Sequence, residues 1–518
     1  MNRTLLQTLS NISRRATCRS FDIASYKAQY EKRQHGNHYK KSFRSEQFAV
    51  ISALFLSASV LKAKQEEERV SSGEKNPALP TYSMSEVSKH NSLKNRIWVV
   101  YKAGVYDITE FIDNHPGGRK ILLAAGGRLE PFWRIYAQHD TAEVYEMLEE
   151  YRIETPALKV RVPKPFSAET PIELLQESYL TPNELFFVRN HTPVAIIDNK
   201  SYQFNVESKK GKKSLSLNFL HRNLPERTLI ASLQCAGNRR EDLEKFKGVK
   251  GIKWSVGAIS TAKWTGVRLI DLLHELGFSD EELISNYEHI HFEGNDKGIS
   301  GDHFVVSVPI SKVVNDSDIL LAYKMNDEVL SLDHGYPLRV IVPGMIAVKS
   351  VKWLKSIRLS KEEAPSDYQL KDYRKVQNPS EWSSSVPIYE FPVQCAITDP
   401  STDSDLDNNE EITVSGYAIS GGGNAIVRVD VSIDGGSSWH RAELKENENS
   451  SSKKQYGWTL FEVNLPLDGD KLSGKQIEII AKATDSHHNT QPEFANDSVW
   501  NFRGLINNCW HRVKVYVP

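Results

Sequence analysis

The chain opens polar and basic, and its first long apolar run spans residues 48–61: fourteen uncharged, mostly apolar positions closed by Lys62 and Lys64. As a helix rising ~1.5 Å per residue the run covers about 21 Å, short of the ~30 Å hydrocarbon core of a bilayer. Past Thr81 the pattern becomes that of a folded module. Ile97-Trp98-Val99-Val100-Tyr101 predicts a strand, Lys102-Ala103-Gly104 a turn, Val105-Tyr106-Asp107-Ile108 a second strand, and Arg119-Lys120-Ile121-Leu122-Leu123 the start of a helix. Residues 155–171, with four prolines and two lysines, read as a semi-extended linker. Residues 229–233 predict a strand that runs into Gln234-Cys235-Ala236-Gly237-Asn238-Arg239-Arg240. From about Val386 onward, short apolar or alternating runs at 393–397, 411–418, 426–433 and 476–481 are separated by Gly- and Asp-rich turns. Asp434-Gly435-Gly436 is a hairpin signal; too few acids surround it for a calcium loop. Residues 401–410, rich in Asp and Asn, predict an exposed loop.

Length and composition turn these segments into domains. The 518 residues exceed what one hydrophobic core holds and predict about three domains. A net charge of −1 excludes the basic excess of a nucleic-acid binder. That balance is an average over unlike parts: the first 45 residues carry ten Lys and Arg against Asp22 and Glu31, the composition of a mitochondrial transit peptide. Followed by the apolar run, it predicts a matrix-targeting segment plus a stop-transfer sorting signal, delivering the mature protein to the intermembrane space. Residues 62–80 then form a linker and processing region. The four cysteines, Cys18, Cys235, Cys395 and Cys509, are too far apart for a zinc ribbon, an iron–sulfur cluster or a disulfide framework.

Two histidines carry the first candidate chemistry. His115-Pro116-Gly117-Gly118 forms a tight loop that can hold an imidazole edge-on over a flat ligand, and His139 follows beyond an apolar helix and Phe132-Trp133. Two imidazoles facing across an apolar slot would fill both axial positions of a haem iron and leave a centre that only transfers electrons. Tyr106-Asp107-Ile108-Thr109-Glu110-Phe111 followed by His-Pro-Gly-Gly resembles the cytochrome b5 family over residues 81–154, and the family's haem ligands fall on His115 and His139.

Cys235 carries the second. At a strand end, followed by Gly237 and the guanidinium groups of Arg239 and Arg240, its thiol sits in a positive field that favours thiolate, either as a nucleophile or as a soft metal ligand. The wider motif set resembles the eukaryotic sulfite oxidase family, which includes the molybdenum domain of assimilatory nitrate reductase. Its segments are Phe186-Phe187-Val188-Arg189-Asn190-His191, the Cys235 segment, Lys250-Gly251-Ile252-Lys253-Trp254, residues 257–264, residues 320–326, Asp333-His334-Gly335-Tyr336-Pro337-Leu338-Arg339 and Val342-Pro343-Gly344. The resemblance implies Cys235 as molybdenum ligand. It implies a pterin held by Phe186, Phe187, Val188, Arg189 and Asn190, by Asp296, His334 and Arg339, and by Ser350, Val351 and Lys352. It implies a sulfite pocket of Arg189, Arg240, Trp254, Tyr373 and Arg503, the last in Trp500-Asn501-Phe502-Arg503-Gly504 where the family more often has Leu than Phe502. Arginine suits such a substrate because its fork grips oxyanions bidentately.

The fold class expected is multidomain α+β. A presequence and linker (1–80) precede a cytochrome b5-like α+β domain (81–154), a flexible linker (155–171), a mixed α/β molybdopterin domain (172–385) and an all-β immunoglobulin-like sandwich (386–518). In function the resemblance implies oxidation of sulfite to sulfate at a molybdenum-pterin centre, electrons passing singly through a b-type haem to cytochrome c, and a homodimer made by the last domain. The acidic run Glu143, Glu146, Glu149 and Glu150 is a candidate surface for basic cytochrome c, or simply a solvated helix face. A nitrate reductase-like enzyme and a haem-only electron carrier are the alternatives. The first would place its haem module after the molybdenum domain and carry a dinucleotide fingerprint, which this sequence does not show.

Overall fold

The computed structural model describes residues 81–517, apart from a few single positions and the stretches 136–138, 403–410, 446–453 and 468–473. The targeting segment, the apolar run 48–61 and most of the acidic loop 401–410 therefore lie outside the described residues. Among the described residues no helix is long and apolar enough to cross a membrane.

The first module is a four-stranded sheet in the order Thr81–Tyr82, Arg152–Pro156, Gly104–Asp107, Trp98–Tyr101. Trp98–Tyr101 is buried at every position rather than at alternate ones, because both of its faces are covered. Val99 and Tyr101 join Tyr106, Ile108, Ile112 and Leu129 in the module's own core. Trp98 and Val100, on the opposite face, pack with Val105, Val87 and two residues of the next domain, Leu174 and Leu185.

Two five-stranded sheets, the first antiparallel and the second mixed, build the central domain. One runs Glu226–Gln234, Ile259–Arg268, Leu320–Met325, Glu328–Val329, with Arg339–Ile341 also pairing Leu320–Met325. The other runs His303–Pro309, His289–Lys297, Leu354–Ser360, Gln203–Ser208, Gly211–Ser216, and its only parallel pair is Leu354–Ser360 with Gln203–Ser208.

The stretch read as a linker is structured. Lys159–Val162 pairs with Ser167–Glu169, which in turn pairs with Val188–Arg189, in a three-stranded sheet. Glu169 is fully buried: it accepts from Arg161 Nε at 2.6 Å and from the Ser255 amide and hydroxyl at 3.0 and 2.8 Å. Composition rich in Pro and Lys describes a chain without a partner; here the partner is Val188–Arg189, far enough along the chain that composition cannot reveal it.

The C-terminal domain is a sandwich of two antiparallel four-stranded sheets. One runs Gln394–Asp399, Glu411–Ile419, Thr459–Pro466, Glu443–Lys445 and the other His440–Arg441, Ile426–Ser432, Lys475–Asp485, His511–Val517. The alternating positions of both sheets meet in one apolar core. Asp434 sits in the turn after Ile426–Ser432, accepting from the Ser438 amide at 2.9 Å and the Ser432 hydroxyl at 2.8 Å; these Ser438 bonds hold its pKa down to about 2. This domain is not a bead on a string: Ala396, Tyr417, Ile419, Trp458 and Leu460 belong to the same core as the central sheets.

Candidate functional site

A cleft of about 680 Å³ opens in the central domain where Glu226–Gln234 ends. Phe186, Phe187, Arg189, Cys235, Asp296, His334, Arg339, Ser350, Val351, Lys352 and Tyr373 line it. They come from strand ends and from the loops and short helical turns beside them, a concave setting that leaves room for a ligand. Val188, Asn190, Arg240, Trp254 and Arg503 are not on its wall, although Asn190, Arg240 and Trp254 are buried close behind it.

Several wall groups have unmet bonding capacity. Asp296 accepts from the Thr192 hydroxyl through Oδ2, while its buried Oδ1 has no protein partner. Burial raises the Asp296 pKa. Arg339 donates from Nη1 to His334 O at 2.8 Å and from Nη2 to Ser350 O at 3.1 Å, and its buried Nε has no partner. Burial pulls the guanidinium down to about 9, an unusual position for an arginine without an anion. Lys352 donates to Asn190 Oδ1 and, at 2.8 Å, to Asp333 O; burial and the neighbouring Arg339 bring it down to about 7. His334 is held neutral, its pKa pushed down to about 3 by burial, and donates from Nε2 to Asn183 O at 3.0 Å, which leaves Nδ1 as an acceptor. A heterocycle with ring N–H groups and an anionic tail matches this set: Asp296 Oδ1 and His334 Nδ1 accept, while Arg339 and Lys352 donate and carry charge. The residues present thus fit a phosphorylated pterin. The Cys235 sulfur beside it, with its backbone fixed by Cys235 N–H to Ala258 O at 2.9 Å, fits a thiolate-bound metal.

The two guanidinium groups next to Cys235 have different fates. Arg239 adopts a left-handed backbone (φ 61°) and turns away from the cleft. It donates to Cys395 O at 3.1 Å and Cys509 O at 2.8 Å and pairs with Asp242 at 3.1 Å, joining the central and C-terminal domains. Only Arg240 remains on the cysteine's side, so the expectation of two cations around the thiol is corrected to one. The Arg240 fork is steered by carbonyls, Nε to Arg503 O at 2.8 Å and Nη1 to Ile252 O at 2.6 Å. It also requires three glycines: a Cβ on Gly237 would stand 2.4 Å from Nη2, one on Gly251 2.7 Å from Cζ, and one on Gly504 2.8 Å from the Arg240 Cγ.

Arg189 is delivered by the stretch read as a linker, since it pairs in register with Ser167. Arg503 forms an ion pair with Asp372 at 2.6 Å. Trp254 is fully buried with Cys235, Phe186 and Phe187 in one apolar cluster, and its Nε1 has no protein partner. Tyr373 follows a π-helical turn over Tyr368–Asp372, and burial, together with Cys235, raises its pKa. Sequence reasoning assigned nothing to Asp372 or His191, yet the first holds Arg503 and the second bonds Tyr373 at 2.6 Å. Each stands one position from a residue already singled out, which was the available signal.

In the first module the imidazoles of His115 and His139 are parallel to within 6° with centroids 6.0 Å apart. His115 Nδ1 donates to Gly118 O at 3.0 Å, so its Nε2 is left with a lone pair for a metal. A Cβ on Gly117 would stand 2.8 Å from the His115 ring, which explains the glycine. Parallel rings with room for one ion between them fit bis-imidazole haem ligation. Of the acidic run, Glu149 is turned inward: it accepts from Tyr106 Oη at 2.8 Å and pairs with Arg152 at 3.4 Å, so it is not a free docking acid. The side chains of Glu143, Glu146 and Glu150 lie outside the described residues.

Family models match this chain in three places: a cytochrome b5-like heme/steroid binding domain at 83–155, an oxidoreductase molybdopterin binding domain at 191–368 and a Mo-co oxidoreductase dimerisation domain at 385–518. Mitochondrial sulfite oxidase of Drosophila melanogaster is 43% identical over 85% of this chain and 81% of its own length. The human protein of that name is 42% identical over 84% of each. Among solved structures, the sulfane dehydrogenase SoxCD from Paracoccus pantotrophus superimposes with a TM-score of 0.57 at 25% identity, covering 68% of this chain and 85% of that one. With identity at this level across most of both lengths, and with all three domain models in order, this chain belongs to the sulfite oxidase family.

Proposed function

We propose that this protein oxidises sulfite to sulfate in the Cys235 cleft and passes the two electrons, one at a time, through a haem held by His115 and His139 to cytochrome c. The observation that carries the reading is unmet bonding capacity at the cleft: Asp296 Oδ1 and Arg339 Nε on its wall, and Trp254 Nε1 behind it, are buried without partners near a single cysteine. When bound, the molybdenum-pterin group supplies the two-electron oxidation and the haem the one-electron relay.

The protein's own residues do the rest. Phe186–Asn190, Asp296, His334, Arg339 and Ser350–Lys352 hold the pterin, and the Cys235 thiolate holds the metal. Arg189, Arg240 and Arg503 offset the charge of sulfite on entry and of sulfate before release. Trp254 packs behind the pocket wall, and Tyr373 offers a hydroxyl to the oxyanion. Conversion of sulfite to sulfate takes an oxygen from water and releases two protons and two electrons, so the electrons need the haem exit and the protons a path to solvent. The C-terminal sandwich makes a homodimer, and the basic leader followed by an apolar run directs the mature protein to the intermembrane space, where a one-electron haem protein is a suitable acceptor.

The test is metal and pterin analysis of the purified protein with a sulfite-dependent cytochrome c reduction assay, repeated with nitrate and with NADH. Sulfite alone should support turnover; activity with nitrate and NADH instead would overturn the reading. Replacing Arg240 by Gln should raise the sulfite KM by about tenfold or more, the order expected for losing a hydrogen bond to a charged group. An unchanged KM would remove Arg240 from substrate binding.

A further inference from the structure

His191 Nε2 lies 2.6 Å from Tyr373 Oη, and both side chains line the cleft. The imidazole is clamped in place, with the Phe304 ring 5.0 Å and the Tyr368 ring 5.4 Å from its centroid. Tyr368 opens the π-helical turn that ends just before Tyr373, so one short element supplies both a wall of the imidazole's cage and the phenol it bonds. Burial, together with Arg189, Lys352 and Arg503, keeps the imidazole neutral, and burial keeps the phenol protonated.

Two neutral groups therefore share one contact, and its direction decides what the pocket sees. A phenol has one proton. If that proton points at His191, the phenolic oxygen faces the cleft with lone pairs only, opposed to an oxyanion that can only accept. If His191 donates instead, the proton turns into the cleft. Donor chains of this kind also strengthen each link in turn.

We propose that His191 is a positioning residue that donates from Nε2–H to Tyr373 Oη and so aims the phenolic proton at the substrate oxyanion. The inference rests on the sulfite reading for the identity of the oxyanion, but not for the His191–Tyr373 contact itself.

The test uses the holoenzyme and four variants: His191→Phe, which keeps an aromatic ring against Phe304 and Tyr368 but has no donor; His191→Gln, which restores a donor; Tyr373→Phe; and the His191→Phe, Tyr373→Phe double variant. His191→Phe should raise the sulfite KM and the sulfate inhibition constant by about tenfold, as for a misdirected hydrogen bond to a charged group. His191→Gln should recover most of that loss. In the double variant His191→Phe should add less than twofold to Tyr373→Phe alone, because its effect passes through the phenol. A readout independent of turnover is 3-fluorotyrosine placed at 373: its 19F resonance should move in His191→Phe and return in His191→Gln. His191→Leu, equally without a donor, carries the same expectation if the phenylalanine variant does not fold. An unmoved resonance, an unchanged KM, or losses that multiply in the double variant would each overturn the inference. A resonance that moves as expected in His191→Phe, with a wild type that does not oxidise sulfite, would instead overturn the proposed function and leave the contact standing.

Discussion

The two joints of this molecule are built differently. Between the central and C-terminal domains there is no boundary in the core: Tyr417 and Trp458 of the sandwich pack with the central sheets, Tyr417 Oη donates to Val256 O and accepts from Asn238 at 2.8 Å each, and Trp458 N–H donates to Ser232 Oγ at 2.9 Å. Arg239 closes that joint from inside. Between the haem module and the central domain the contact is narrow: Leu174 and Leu185 against Trp98, Val100 and Val105, plus Arg128, which reaches Glu173 O and the Glu177 carboxylate. The difference follows from what each joint must do. Arg503 comes from the far end of the chain and must be held still to meet Arg240, whereas an electron carrier serving an external acceptor gains from a contact that can open without unfolding either side.

The most disruptive way to challenge this contrast is Arg239→Ala. Removing one member of a buried charged network costs about 3–5 kcal/mol, and here the loss falls on the fused joint. Thermal unfolding followed by tryptophan fluorescence should shift markedly, while the haem absorbance of the first module keeps its own transition. A common shift in both signals would mean that the joints are not independent.

Arg128→Ala should act the other way. Glu177 loses its ion pair, and the narrow joint opens more often by about tenfold or more, read as faster amide exchange at Trp98–Tyr101 with the central strands unchanged. Unaltered exchange there would show that the apolar contact alone holds the module.

Acidity should tune the same joint more gently. Glu130 accepts from the Lys102 amide at 2.6 Å, and burial together with Glu177 raises its pKa from an ordinary 4.5 to about 8. A carboxyl whose pKa is raised in the closed form favours that form while protonated. Its contribution is complete below pH 4.5 and lost as pH rises through about 8. Protection of the amides at the joint, taken relative to their intrinsic exchange rate at each pH, should therefore fall from pH 6 to pH 9, and Glu130→Gln should flatten that dependence. A Glu130→Gln variant that keeps the wild-type slope would place the titration elsewhere.

Much of the site was legible because its residues travel in compact motifs. His115 through Gly118, the cysteine turn and the Asp333–Arg339 segment each carry several constraints in a few positions, and the glycines among them answer to close approaches by the His115 ring and the Arg240 fork. What was not legible depends on partners distant in sequence. Residues 159–169 look like a tether until Val188–Arg189 pairs with them, and Trp98–Tyr101 gives no hint of which face meets its own core and which meets Leu174. Arg239 and Arg240 are indistinguishable as letters; a single left-handed φ sends one to the domain joint and leaves the other by the thiol. Glu149 reads as surface charge because nothing local announces Tyr106 and Arg152 beneath it.

The proposed function stands most directly on the path from the Cys235 cleft to the haem. Sulfite added to the purified protein without external acceptor, with the haem absorbance followed in a stopped-flow instrument, measures that path alone. The wild type should show haem reduction by sulfite. Cys235→Ser should keep an intact haem spectrum, reducible by dithionite but not by sulfite. Haem reduction by sulfite in Cys235→Ser, or none in the cofactor-loaded wild type, would contradict the account.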